Sequence, residues 1–277
     1  MNSYLSLGGG LQSSTIVEMM VEGELSPVDL VLFADTGDEP DYVYSQVGYL
    51  KGRLQLINVP LEIVSIGDMI KHYHEPWRRF ATLPVFTKLG DNIGKMPRHC
   101  THDYKINPIE KRVRRGLLEL GKATEQSNGA IRINKGVQIE CWLGISLDEV
   151  QRMKENKHKW VFNRWPLIEK RMTRLDCSNW LSQRGLPVPR KSSCRICPYH
   201  NDDHFRWMKD YRPDDWKHVV EFDDFLRNGN GKITTSARGE LFLHKSCVPM
   251  SEVDLSNQQD KGQLEMFDVC DEGYCFI

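Results

Sequence analysis

The sequence predicts an α/β protein: a doubly wound parallel sheet with a smaller cysteine-containing C-terminal extension. Three observations carry this. Apolar runs of strand length alternate with amphipathic runs of helix length through residues 3–66, a β-α-β-α-β order. Val28 to Ala34 is apolar except at Asp29, as expected of a parallel strand buried on both faces. A turn with three consecutive glycines, Gly8-Gly9-Gly10, joins the first strand to the first helix. We expect the sheet domain to occupy residues 1–200 and a helical and irregular extension to occupy 201–277.

In order, the first strand is expected over 3–7 and the first helix over 13–22, closed by Gly23. The second strand covers 28–34 and ends in Asp35-Thr36-Gly37-Asp38-Glu39-Pro40. A helix over 41–54 places Val43, Val47, Leu50 and Leu54 on one face, and a third strand covers 61–66. Residues 67–104, with Pro76, Pro84 and Pro97, read as irregular. Pro108 suits the first position of a helix over 108–120 that buries Ile109, Val113 and Leu117. Residues 121–135 are polar and read as a surface loop, and 136–143 as a further strand. The basic, aromatic stretch 153–165 reads as a mobile segment. A helix over 173–184 ends at Gly185, with Pro187 and Pro189 beyond it. Short helices are expected over 202–209 and 213–227, and strand-like pieces at 232–235 and 240–244.

The chain has 277 residues, 40% hydrophobic and 27% charged, ordinary values for a soluble globular protein. No apolar run approaches the ~20 residues that span a bilayer, and the start of the chain reads as a strand rather than a signal peptide, so we expect a cytoplasmic protein without a membrane partner. Eight cysteines in that setting favour metal, cluster or redox chemistry over a disulfide scaffold. The net charge of −1 hides basic clusters at Lys105–Arg115 and Arg152–Arg174 and an acidic tail after Ser251. The basic clusters fit a phosphate-rich partner; each also fits a solvated helix face.

The stretch from Ser6 to Thr15 carries the first chemistry. Without Cβ atoms, Gly8, Gly9 and Gly10 let the backbone approach a bulky anion. Ser13, Ser14 and Thr15 supply hydroxyls, and the helix start supplies unpaired N–H groups and a positive dipole end. This suits a phosphate, although neither Gly-Lys-Ser/Thr nor GxGxxG is present. The alternative is a turn that only packs a helix on a sheet. In a parallel sheet the glycine turn and the Asp35 turn both lie at the carboxyl ends of strands and can face one ligand.

Gly9-Gly10-Leu11-Gln12-Ser13 resembles the Gly-Gly-x-x-Ser PP-loop of the adenine-nucleotide alpha hydrolases, a Rossmann-like superfamily. Asp35-Thr36-Gly37 is similar to the Asp-Thr-Gly of its PAPS-reductase branch, and Cys100-Thr101-His102-Asp103-Tyr104-Lys105-Ile106-Asn107-Pro108-Ile109 to that branch's Cys-Cys-x-x-x-Lys-x-x-Pro-Leu element. Gly144-Ile145-Ser146 with Glu149 and Arg152 resembles its Gly-Ile/Leu-Arg…Arg segment, and Trp165-Pro166-Leu167 with Thr173 its Pro-Leu…Trp-Thr segment. The resemblance covers residues 3–200. Members split ATP between the α and β phosphates to adenylylate a substrate, or reduce an adenylyl sulfate. It implies an adenine nucleotide, ATP or PAPS/APS, held by Ser6, Gly8, Gly9, Gly10, Gln12, Ser13, Ser14, Thr15, Asp35, Thr36, Gly37 and Gly144. Asp35, Lys105 and Arg152 would act on it, with Mg2+ neutralising a triphosphate. Many members carry lysine or aspartate within the loop where this chain has Leu11 and Gln12, which shifts phosphate binding to backbone N–H groups and distant cations.

Cys194-x-x-Cys197 places two thiolates on one metal or cluster. The resemblance adds Cys100 as a third ligand of a [4Fe–4S] cluster, with Thr101 where reductases carry a second cysteine, and Cys177, Cys247, Cys270 or Cys275 could complete the shell. The competitor is a structural Zn2+ on Cys100, Cys194, Cys197 and a histidine such as His200. Cys141, in an apolar strand, reads as a core residue. Cys275 resembles the reactive tail cysteine of thioredoxin-dependent PAPS reductases; Cys270 and Cys275 with Cys247 could instead form a second metal site, or the tail thiols could be idle. The expected activity is ATP-dependent sulfur transfer to a nucleic acid, tRNA or DNA, as in the tRNA thiolation and DNA phosphorothioation sulfurtransferases. The tract from Lys154 to Arg174 has the aromatics and cations such a partner requires. Further expected partners are a sulfur donor such as a cysteine desulfurase or thioredoxin, and a second copy in a homodimer. The alternatives are a PAPS/APS reductase and a catalytically silent nucleotide-binding subunit of a complex.

Overall fold

The strand that precedes the glycine turn lies at the centre of its sheet. A computed structural model describes residues 1–75, 83–228, 239–256 and 260. The contacts divide the chain into two compact units that each draw on two stretches of sequence, where the sequence reading expects a single break at residue 200. The first comprises Met1–Ile66 and Tyr104–Ser192; the second comprises Gly67–Asp103 and the described residues from Ser193 on.

The first unit holds strands β1 (Ser3–Leu7), β2 (Leu30–Ala34) and β3 (Leu61–Val64), helices α1 (Leu11–Val21) and α2 (Asp41–Gln55), and, beyond the second unit's hairpin, helix α4 (Asn107–Glu119). It continues with β8 (Ile139–Leu143), β9 (Val161–Arg164), α5 (Pro166–Glu169) and α6 (Arg174–Gln183). The strand order is β3-β2-β1-β8-β9 and every pairing is parallel, with Leu5 opposite both Val31 and Trp142. The period of two sorts the side chains onto two faces. Leu5, Leu7, Val31, Phe33 and Trp142 pack with Ile16 and Val17 of α1, Val43 and Val47 of α2, and Leu181 of α6. Tyr4, Leu30, Leu32, Ile139 and Cys141 pack with Ile109, Val113 and Leu117 of α4. Helices therefore cover both faces, as a doubly wound sheet requires. Asp29, which interrupts the second apolar run, accepts hydrogen bonds from the backbone N–H groups of Asn2 and Ser3. The strand starts just after it.

Two stretches of this unit are more ordered than the sequence implies. Residues 121–135 contain an antiparallel ribbon, β6 (Ala123–Glu125) and β7 (Ile131–Ile133), that packs on α4. Its two short runs carry too few apolar residues for the alternation to stand out. The stretch expected to be mobile, 153–165, instead closes the sheet: β9 pairs with β8 and buries Val161. Helix α1 begins two residues early because Gly10, extended at φ −96° and ψ −176°, takes the capping position.

The second unit is built from α3 (Met69–His74), the hairpin β4 (Phe86–Leu89) and β5 (Asn92–Lys95), α7 (Asp202–Tyr211), α8 (Pro213–Asn228) and β10 (Glu240–Phe242). The region read as irregular thus holds a helix, capped by Asp68 on the N–H groups of Ile70 and Lys71, and two strands. β10 joins β4 antiparallel, which ties residues 67–103 to the C-terminal part of the chain. Asp223, fully buried on α8, accepts from the N–H groups of Leu243 at 2.9 Å and Met250 at 2.7 Å and pairs with Arg227 at 2.7 Å. Pro76 and the strand expected at 232–235 lie outside the described residues. No helix among the described residues is long and apolar enough to cross a membrane.

The alternation in the sheet gives a direct test. Leu5 is fully buried in β1, whereas Ile63 of β3 is 54% exposed. Leu5→Ala should destabilise the protein by about 2–5 kcal/mol, and Ile63→Ala by about 0.5 kcal/mol or less, read as shifts of the urea midpoint.

Candidate functional site

The glycine turn lies where the order of the sheet reverses. From β1 the chain builds β2 and β3 on one side, then returns to place β8 and β9 on the other. Ligands of open parallel sheets bind at the carboxyl ends of strands at such a point. Gly9 has φ +72°, a left-handed conformation that side chains strain, and a Cβ there would lie 3.2 Å from Val43. Gly10 caps α1 with no side chain on its N–H groups, which leaves the positive end of the helix facing the turn. Gly144, after β8, approaches so closely that a Cβ would lie 2.9 Å from the Ser13 backbone nitrogen.

The expected hydroxyls divide. Ser13 Oγ accepts from Gly8 N–H and donates to the Gly10 carbonyl, each at 3.3 Å, so it stays in the turn. Ser14, fully buried, accepts from Gln46 of α2 at 3.3 Å, and Thr15 donates to the Leu11 carbonyl at 2.9 Å. Both hydroxyls of these last two residues serve helix packing. Ser6 sits on β1, flanked by Leu32 and Leu143.

Beside the turn, at the end of β2, Asp35 Oδ1 accepts from Gly37 N–H and from the Tyr44 hydroxyl, each at 2.8 Å. Burial and then the Asp35 carboxylate hold the Tyr44 phenol well above its usual pKa. Thr36 Oγ1 donates to Glu39 at 3.3 Å, and the same Glu39 oxygen pairs with Lys105 at 3.2 Å. Lys105 belongs to a π-helical stretch, Thr101–Ile106, that leads into α4. Past β8, Gln12 donates to Glu149 at 3.0 Å and to Ser146 at 3.4 Å, and Glu149 pairs with Arg152 at 2.8 Å. The two cations expected at the phosphates are therefore each held by a carboxylate, one at the end of β2 and one past the end of β8.

Sequence reading missed Glu39, Tyr44, Ser146 and Ser192 as site residues. Ser192 is 2% exposed, and among the described residues its Oγ has no hydrogen-bond partner. Leaving a hydroxyl unpaired in the interior costs about 1–3 kcal/mol. It stands 2.7 Å from where a Gly10 Cβ would be. The Tyr42 hydroxyl, on α2, donates to the preceding Lys191 carbonyl at 3.2 Å and holds this segment beside the turn.

Cys100, Cys194 and Cys197, three of the expected metal ligands, belong to the second unit and are partly buried. Cys197 N–H bonds to the Cys194 carbonyl at 3.1 Å and His200 N–H to the Cys197 carbonyl at 3.2 Å, which makes two successive turns. Cys177 lies in the first unit's core on α6, fully buried, its thiol pushed up to about 12 chiefly by burial. Cys141 is likewise buried and also raised to about 12 by burial. Among the described residues no three His, Cys, Asp or Glu side chains are arranged to hold a metal ion. Cys270 and Cys275 lie outside the described residues.

No protein family and no curated protein matches the chain. A solved structure does. It is the crystal structure of phosphoadenylyl-sulfate (PAPS) reductase from Candida auris in a phosphate complex, 15% identical, with a TM-score of 0.40 over 68% of this chain and 74% of that one.

The thiol settings predict reactivity. Only the thiolate is nucleophilic, so a thiol with a pKa near 12 is ionised at pH 8 on the order of once in 10,000 molecules. Iodoacetamide at that pH should leave Cys141 and Cys177 unmodified in the folded protein and label both after denaturation, as read by peptide mass spectrometry.

Proposed function

We propose that the protein is an ATP-using enzyme of the PP-loop kind that adenylylates a substrate and passes sulfur to it. The observation that carries this reading is the glycine turn with its uncapped helix start at the reversal point between β1 and β8. Backbone N–H groups and Ser13 Oγ would hold the nucleotide phosphates there. Lys105 and Arg152 are positioned by Glu39 and Glu149, and a bound phosphate would compete with those carboxylates for them.

Magnesium, bound with the nucleotide, neutralises triphosphate charge, and it commonly takes one or two carboxylates besides the phosphates. Asp35, fixed through one oxygen by Gly37 and Tyr44, is the carboxylate we assign to it. The sulfur-transfer half rests on the Cys194-x-x-Cys197 pair alone. Among the described residues no three His, Cys, Asp or Glu side chains are set to hold a metal ion, and no step is routed through an iron–sulfur cluster or zinc.

A nucleic acid acceptor, tRNA or DNA, is supported by the tract around β9. Phe162 is 67% exposed on this edge strand, as a base-stacking residue would be. Nearby, His158 stacks on Trp160 at 5.5 Å. Glu110 pairs with Lys157 and His158, each at 3.1 Å; burial raises its pKa, but these two partners lower it further, to a net value below the ordinary one. A cysteine desulfurase would then serve as the sulfur donor, with a thioredoxin dithiol as the reductant.

The test is pyrophosphate release from ATP with magnesium, with and without added tRNA or DNA. Asp35→Asn keeps the oxygen that Gly37 and Tyr44 bond to but removes the charge. It should cut pyrophosphate release by about 10²-fold while the melting temperature moves by roughly 4 °C or less. Sulfite release from an adenylyl sulfate, without pyrophosphate from ATP, would replace this reading with a sulfonucleotide reductase. Nucleotide binding with neither product would mark a silent binding subunit.

A further inference from the structure

We infer that Ser192 is a ligand of the anion bound at the glycine turn, so that the phosphate site is closed by a segment from the far end of the first unit. The inference rests on the phosphate-site reading above and adds to it a residue from outside the Gly8–Ser13 loop. Three observations converge on it. Helix α1 presents its N-terminus to the turn without a side-chain cap. Ser192 Oγ is buried and, among the described residues, has no partner. It lies on the side of Gly10 where a Cβ would fall, 2.7 Å from that position, with the Ser192 backbone nitrogen 3.5 Å from it.

A buried hydroxyl without an acceptor is disfavoured unless something at the site accepts from it. A phosphate oxygen at the helix start is such an acceptor, and a hydrogen bond to a charged acceptor is stronger than one to a neutral group. The geometry also explains why position 10 is glycine: any larger residue would push its first carbon into the hydroxyl. The bond from Tyr42 to the Lys191 carbonyl fixes the segment before the ligand arrives, so little freedom is lost on binding. The ligand class is a phosphate-type dianion, supplied by a nucleotide's phosphates or by free pyrophosphate.

The experiment is calorimetric titration of the full chain and of Ser192→Ala with ATP, pyrophosphate and adenosine. Ser192→Ala removes one oxygen from a packed position, so its melting temperature should stay equal to or slightly above the parent's. ATP and pyrophosphate should each bind about tenfold more weakly, and adenosine, which has no phosphate, equally well to both proteins. Gly10→Ala should weaken ATP at least as much, and Gly10→Ala combined with Ser192→Ala should recover part of that loss. Equal affinities of parent and Ser192→Ala for ATP and pyrophosphate would overturn the assignment of Ser192 and leave the nucleotide reading in place. If the parent binds pyrophosphate but not ATP, and Ser192→Ala weakens it, the nucleotide reading fails and Ser192 stands. A parent that binds neither overturns both.

Discussion

The parallel pairing of β1 on both edges is the constraint from which the site follows. A strand with parallel neighbours on each side needs crossover helices, and here those helices cover both faces of the sheet. The chain leaving β1 must turn at once onto one face. That forces a tight turn at the reversal point, and the turn in turn fixes where α1 begins. Gly9, in its left-handed conformation, and Gly144, pressed against Ser13, are the local conditions that let α1 start so close to the strands.

Charge is handled in pairs around this turn. Glu39, 3% exposed, and Glu149, 7% exposed, are each matched by a cation and by a neutral donor, Thr36 in one case and Gln12 in the other. A buried carboxylate that lost its cation would be strongly disfavoured. Lys105 and Arg152 are therefore located by the fold before any ligand arrives, which removes much of the entropy cost of ordering two long side chains. Gln12 thus has a role that its place in the loop does not announce. It ties the first turn of α1 to the segment after β8 by donating two hydrogen bonds, which an ionised aspartate, having no hydrogen to donate, could not make.

The core of the first unit was legible because its signals are periodic and local. Val43, Val47, Leu50 and Leu54 recur at helical spacing, and all four are buried. The apolar run ending at Ala34 is a strand buried at every position. The β4–β5 hairpin and the β6–β7 ribbon were not legible, since each strand is three or four residues long and Ala123 is the one residue of them that is buried. Within the site, the glycine turn and the Asp35 turn could be read from their residue types. The partners of Gln12 could not, because Glu149 lies 137 positions away. Ser192 is further removed still: as a residue type it is an ordinary serine, and its significance comes only from the return of the chain to Gly10. The contacts group residues 67–103 with the second unit for a related reason, since the partner strand β10 lies near the other end of the sequence.

The pairing of β1 with β8 also sets a schedule. Tyr4 finds Leu30 opposite it almost as soon as both are made, but its other neighbour, Cys141, comes from a part of the chain not yet synthesised. At ribosomal rates of about 5–20 residues per second, that second neighbour arrives on the order of ten seconds later. Throughout that interval the future central strand is an edge strand with an apolar sequence, open to pairing with another nascent copy. The finished protein hides this edge completely, so the hazard belongs to its birth rather than to its working life.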